Sequence, residues 1–197
     1  MTDKRVVKTK RNLKATLTRL LKTKKFEKIT VTDICTEGET SRITFYNYYA
    51  DKYALVDEMF KDFFTEAINE YHSLQSSTNP SLDDMSGYKN MVIAILDLCR
   101  NHYDFFSNAV ADRNPYLFST FYRYVSENVS TYMDHHHATM KPKYPIPQLT
   151  ALFCNGLWGI IAESLKSDEK FNETKDVIFS ILEDMLSSGL YVHAEAK

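Results

Sequence analysis

Arg42, Thr44, Tyr46, Asn47, Tyr48 and Lys52 crowd into one short stretch of the chain. All of them carry hydrogen-bond donors, and Arg42 and Lys52 add positive charge. A guanidinium bonds guanine O6 and N7 together, a pairing worth about 1–3 kcal/mol of discrimination between bases. Just upstream, the hydroxyls of Thr30 and Thr32 suit a phosphate, if backbone amides at a helix N-terminus lie beside them. The chemistry on offer is recognition of a nucleic acid. The plainer alternative is that Tyr46 and Tyr48 pack and Arg42 is solvated. No catalytic residue is expected, because the chain has no nucleophile elbow, phosphate-cradling glycine loop or zincin motif. Asp83-Asp84 and Asp168-Glu169 read as loop or cap charges.

These side chains need short, well-capped elements to aim them. Thr30 is a good N-cap, and Asp33 three residues on completes a capping-box-like pair. Val31, Ile34 and Cys35 give that helix an apolar side, and Gly38 marks its end. Ser41 caps a second short helix, in which Ile43, Phe45 and Tyr49 are expected to face inward. Asp51 caps a third. Two short helices joined by a tight turn form a helix-turn-helix, the unit whose second helix enters the DNA major groove.

The stretch from Thr30 to Leu55 resembles the TetR family of transcriptional regulators. The matching residues are Thr30-Val31, Asp33-Ile34, Ser41, Thr44-Phe45-Tyr46, Tyr48-Tyr49, Lys52 and Leu55. The resemblance implies that Arg42 and Thr44 reach base edges and that Tyr46, Tyr48 and Lys52 hold phosphates. It also implies a small-molecule effector and a homodimer on a palindromic operator, with repression the expected direction. The family's turn glycine falls on Glu39, its valine on Thr40 and a second glycine on Ile43. Either Gly38 takes the left-handed conformation one residue early, or Glu39 bears a strain of roughly 1–2 kcal/mol. Phe153, Gly156, Gly159 and Ile160-Ile161 resemble the branch that includes regulators of dihydroxyacetone metabolism.

Charge is unevenly shared. Residues 1–52 hold 13 Lys and Arg against 6 Asp and Glu, whereas the rest hold 11 against 20. A basic head on an acidic body suits binding of nucleic acid at one end, since Lys and Arg release counterions from phosphate. Lys4, Arg5, Lys8, Lys10 and Arg11 gather at the start of the first helix, where they oppose its dipole. An anionic partner or a frayed arm is therefore expected. Cys35, Cys99 and Cys154 have neither metal nor disulfide spacing, and with no signal-peptide pattern the expected home is a reducing cytoplasm. No apolar run is long enough to span a membrane. Neither metal nor cofactor is expected.

The fold class expected is all-α: a three-helix DNA-binding domain over residues 1–50, then a helical ligand-binding and dimerisation domain over 51–197. A first helix over 3–23 turns its leucines to one side, and Phe26 plugs the small core. A long helix runs from Asp51 to about Leu74, and Ser73–Ser86 reads as a loop. Tyr88–Arg100 is helical, His102–Val110 continues it after a bend, and Asn114-Pro115 opens the next helix. Two more helices follow, about 147–166 and 172–191, and nothing reads as a strand. His135-His136-His137 reads as a polar helix end, because consecutive helical residues diverge by about 100° and cannot share one ion.

Phe105, Phe106, Phe118, Phe121, Tyr122, Phe153 and Trp158 are the candidates to line a ligand pocket, or else to fill a core. The last two helices are apolar on more than one side, which calls for a partner chain. Leu149, Phe153, Gly156, Ile160, Ile178, Ile181 and Met185 are the expected dimer interface. Gly156 and Gly159 each cost roughly 0.8–1.0 kcal/mol inside a helix, understandable where backbones approach closely.

Overall fold

The computed structural model describes residues 4–135, 140–164 and 168–193. Helices run over Lys4–Leu21 (α1), Val31–Glu37 (α2), Arg42–Tyr46 (α3), Lys52–Thr78 (α4), Asp84–Asn101 (α5), Tyr103–Phe106 (α6), Pro115–His135 (α7), Ile146–Ser164 (α8) and Asp168–Ser187 (α9). A 3-10 turn covers Phe26–Lys28. The chain divides into two compact units, each drawn from more than one stretch of sequence. The first unit runs to Phe63 and adds His102–Thr120; the second holds Phe64–Asn101 and the chain from Phe121 onward.

In the first unit Leu13, Leu17 and Leu21 of α1 close over Phe26, Ile34, Phe45 and Leu55, all completely buried. The Phe26 ring meets Tyr53 edge-on and stacks on Tyr116, each at 5.4 Å between centroids. Phe105 and Phe106 pack against Phe60 and Phe63 at 5.1–5.6 Å. Of the two places open to them, pocket wall or filled core, these two phenylalanines take the core of the first unit.

The second unit is built from the remainder of α4, α5, most of α7, α8 and α9. Its core includes Val92, Leu96, Phe121, Met133, Phe153, Ile161, Ile178, Leu182 and Leu186. Two strands, Met140–Pro142 (β1) and Tyr191–His193 (β2), pair antiparallel, with Met140 opposite His193. Three-residue strands carry no legible alternation, so sequence periodicity missed them. The loop expected over Ser73–Ser86 shrinks to the residues between Thr78 and Asp84. Ser76, Ser77 and Thr78 donate their hydroxyls to carbonyls four residues back, which lets a polar run stay helical. Asn79 then braces the turn, accepting from the Asp83 amide and donating to the Asp83 carbonyl. His135 ends α7 with its Nδ1 3.0 Å from the Thr131 carbonyl oxygen; His136 and His137 lie outside the described residues. Among the described residues no helix is long and apolar enough to cross a membrane, and no group of His, Cys, Asp or Glu could hold a metal ion.

Candidate nucleic-acid interface

The capping residues form the elements expected of them. The Thr30 hydroxyl accepts from the Asp33 amide at 3.1 Å, and the Asp33 carboxylate accepts the Thr30 amide at 2.9 Å. The Thr30 amide, then Lys24 and the Thr30 hydroxyl, hold the Asp33 carboxyl down at about 2. Ser41 accepts the Thr44 amide at 3.0 Å, and Asp51 accepts the Ala54 amide at 2.8 Å. Between α2 and α3 the strain falls on Glu39, whose φ of 46° is left-handed. Gly38 is needed for space instead. A Cβ there would sit 2.9 Å from the Ile34 carbonyl oxygen and 3.0 Å from the Thr16 hydroxyl of α1. Asn12 of α1 closes the junction by donating to the Gly38 carbonyl at 2.7 Å.

Arg42, Tyr46 and Asn47 are all exposed on α3 and its C-cap. Ile43 joins them, 77% exposed, which corrects its expected inward direction. A five-residue helix has one buried face, and Phe45 takes it, with Tyr49 just beyond. Thr44 is half-buried and its hydroxyl lies 2.8 Å from that of Ser41. Thr30 and Thr32 are exposed at the start of α2, and Tyr48 is half-buried.

Lys52 departs most from expectation. Its ammonium donates to the carbonyls of Phe26, Glu27 and Ile29 at 2.8, 3.2 and 2.8 Å, over the Phe26 ring. An ammonium has three donors, so these bonds occupy all of them. Burial lowers its pKa, with Glu27 opposing. Lys52 clamps the 3-10 turn that precedes α2; a phosphate would have to compete for its hydrogens.

Sequence reasoning missed two sets of supports. Lys10 and Lys14 of α1 pair with Glu58 of α4 at 2.7 and 2.6 Å, and Tyr49 donates to the same carboxylate at 3.0 Å. Burial alone would raise the Glu58 pKa, but the hydrogen bonds from Lys10 and Lys14, the Lys14 charge and the Tyr49 hydroxyl hold it down to about 2. Asn114, completely buried, accepts the Phe26 amide and donates to the Asn108 carbonyl, both at 2.6 Å. Arg113 beside it donates to the carbonyls of Leu21 and Lys22. No local pattern signals such long-range bonds. The groove lined by Lys8, Arg11, Asn12, Glu39 and Thr40 shows where the basic start of α1 leads.

In the second unit, Phe121, Phe153 and Trp158 line an apolar cavity of about 50 Å³ together with Met91, Val125, Met133 and Cys154. Burial pushes the Cys154 thiol up to about 11. Tyr122 does not line the cavity; its hydroxyl accepts from Asn155 at 2.8 Å. Phe118 belongs to the first unit. Of the expected dimer residues, Leu149, Phe153 and Ile178 are buried in their own unit, which corrects their place on an outer face. Ile160, Ile181 and Met185 are half-buried, and Gly156 is exposed. The outward apolar positions are Leu152, 49% exposed, and Val177, 53% exposed. Gly156 and Gly159 are open to solvent, with no atom within 4 Å of an added Cβ.

A capped three-helix head ending in a helix-turn-helix, followed by a helical body, defines an all-α class of protein. The chain has the fold of the TetR-family transcriptional regulators. A TetR-family regulator from Syntrophomonas wolfei superposes with a TM-score of 0.71 at 14% identity, over 93% of this chain and 97% of that one. A TetR regulator from Streptococcus agalactiae gives 0.60 at 18% identity, over 91% and 96%. The dihydroxyacetone kinase operon activator DhaS gives 0.53 at 16% identity, over 90% and 96%. At these identities the likeness is one of fold. No family model and no curated protein matches the sequence.

Proposed function

We propose that this chain is a sequence-specific DNA-binding transcriptional regulator, acting in the cytoplasm as a homodimer on a palindromic operator, and a repressor. The observation that carries the reading is α3: a capped helix on a buried Phe45, with Arg42, Tyr46 and Asn47 turned to solvent on a basic unit. The likeness of fold to TetR-family regulators supports it. Arg42 is assigned to a base edge and Tyr46 to a phosphate, with Thr30 and Thr32 as further phosphate donors. The dimer is assigned to the outward side of α8 and α9, around Leu152, Gly156, Gly159 and Val177. Two recognition helices then meet half-sites about 34–36 Å apart or a multiple of it. A mobility-shift titration against salt tests the reading. Log affinity should fall linearly with log salt, with a slope of about −0.9 per phosphate neutralised. Indifference to DNA at low salt refutes it.

For control, a small apolar effector between Phe121, Phe153 and Trp158 fits the dry cavity wall. At about 50 Å³ the cavity is far below the roughly 300 Å³ of an ordinary ligand site. Met91 and Met133 must then repack to admit a ligand, as flexible methionines do. Quenching of Trp158, the only tryptophan, coupled to loss of operator affinity is the signature. The small volume favours a second reading, in which the body is filled and the regulator answers to a protein or to nothing. Absence of any apolar ligand that raises the melting temperature favours that reading; a ligand that raises it without altering DNA affinity leaves the pocket and refutes the coupling.

A further inference from the structure

Ile43 contributes nothing to the core of its own unit. Its side chain is 77% exposed, while Phe45, two residues on, is completely buried. Successive residues of a helix step about 100° around its axis. Arg42, Tyr46, Ile43 and Asn47 then lie at about 0, 40, 100 and 140°. Ile43 falls inside the outward arc of α3, between two hydrogen-bonding side chains, and not at its margin. The Thr44 hydroxyl is engaged with that of Ser41 at 2.8 Å. Nor does Ile43 serve the helix, since a β-branched residue slightly disfavours it. What the arc presents is a set of polar groups with one branched apolar group among them.

The major groove displays a matching pattern. Its base edges carry hydrogen-bond donors and acceptors and a single kind of apolar group, the C5-methyl of thymine. Phosphates offer an isoleucine no apolar partner, and the aliphatic carbons of the sugars, the same at every nucleotide, carry no sequence information. We propose that Ile43 reads the 5-methyl group of a thymine beside the base pair read by Arg42, making it a specificity-determining residue of the interface. This rests on the DNA-binding reading above.

Deoxyuridine tests it, because it differs from thymidine only by lacking that methyl. The full chain is first used to select its half-site from random duplexes. Each thymine of the half-site is then replaced singly by deoxyuridine. For the wild type, one replacement in a single half-site should weaken binding about fourfold, the worth of one buried methyl-sized group (~0.8 kcal/mol). Ile43→Ala, which favours the helix, should melt like the wild type and bind the thymine and uracil duplexes alike. Ile43→Ser serves as a second variant with the same expectation. If the wild type ignores every replacement, or Ile43→Ala keeps the uracil penalty, the assignment is overturned while sequence-specific DNA binding stands. If the chain prefers no DNA sequence at all, the DNA-binding reading falls and this assignment with it.

Discussion

Removing the Asn114 carboxamide should loosen the first unit, which holds the helix-turn-helix, from a point far along the chain. Asn114 is completely buried and makes two bonds of 2.6 Å, one accepting the Phe26 amide and one donating to the Asn108 carbonyl. Phe26 and Asn108 are themselves buried. Asn114→Ala therefore strands a donor and an acceptor that water reaches poorly. Each orphan costs about 1–3 kcal/mol, and partial relaxation makes a total near 3 kcal/mol the working expectation. For a chain of this length each kcal/mol moves the melting temperature by about 2–4 °C, so a fall of about 6–12 °C is expected. The 3-10 turn that Phe26 opens also receives the Lys52 clamp, so operator affinity should drop as well. Calorimetry and a binding titration are the assays. The control is Asn128→Ala, which removes an exposed bond to the Tyr124 carbonyl and should change stability by less than about 0.5 kcal/mol. If Asn114→Ala melts within a degree or so of the control, the two bonds do not hold the turn.

Glu58 has a folded pKa of about 2 against an ordinary 4.5, so its contribution is present above about pH 4.5 and is lost as pH falls toward 2. Urea unfolding at pH 6 and pH 3 should show wild type ahead of Glu58→Gln by about 1 kcal/mol at pH 6, after solvent screening, and the gap closing at pH 3. Glu39→Gly relieves a left-handed φ of 46° and should stabilise by about 1 kcal/mol, read as a raised urea midpoint; a lowered midpoint would count against strain at this turn. Lys52→Ala should lower the melting temperature without changing the slope of log affinity against log salt, whereas Arg42→Ala should cost about 1–3 kcal/mol on the selected operator and little on others. Leu152→Glu should separate the dimer in sedimentation while leaving the monomer folded, because Leu152 is outside the core; an unchanged sedimentation coefficient would move the interface elsewhere.

What the sequence made legible was local. Thr30, Asp33, Ser41 and Asp51 each bond an amide three residues away, and Pro115 opens α7 because the first turn needs no donor there. Direction around a very short helix was not legible. With Ile43 and Phe45 both apolar, only tertiary packing decides which one is buried. The carbonyl partners of Lys52 were not legible because a lysine looks the same in sequence whether it meets phosphate or backbone carbonyls. On α8 and α9 apolar residues occupy both the inner and the outer sides, so periodicity failed to separate buried Leu149 and Ile178 from exposed Leu152 and Val177. The Asn114 bond to Phe26 spans 88 positions, beyond any window in which spacing carries information.

The first unit is assembled from two stretches of chain that are not contiguous, and this orders events at the ribosome. The helix-turn-helix and its core leucines emerge early, but the residues that seal Phe26 come only with Asn114 and Tyr116. From the exit of residue 63 to that of residue 114, synthesis at about 5–20 residues per second takes roughly 3–10 s. Over that interval the Phe26 amide has no carboxamide to meet, and the nascent head must rely on water or a chaperone. A stop codon between residue 63 and Asn114 leaves a chain that carries the whole helix-turn-helix and lacks the Asn114 bond to Phe26. The helix-turn-helix is thus written into the first quarter of the message, but the unit that holds it is completed only after the ribosome has passed its midpoint.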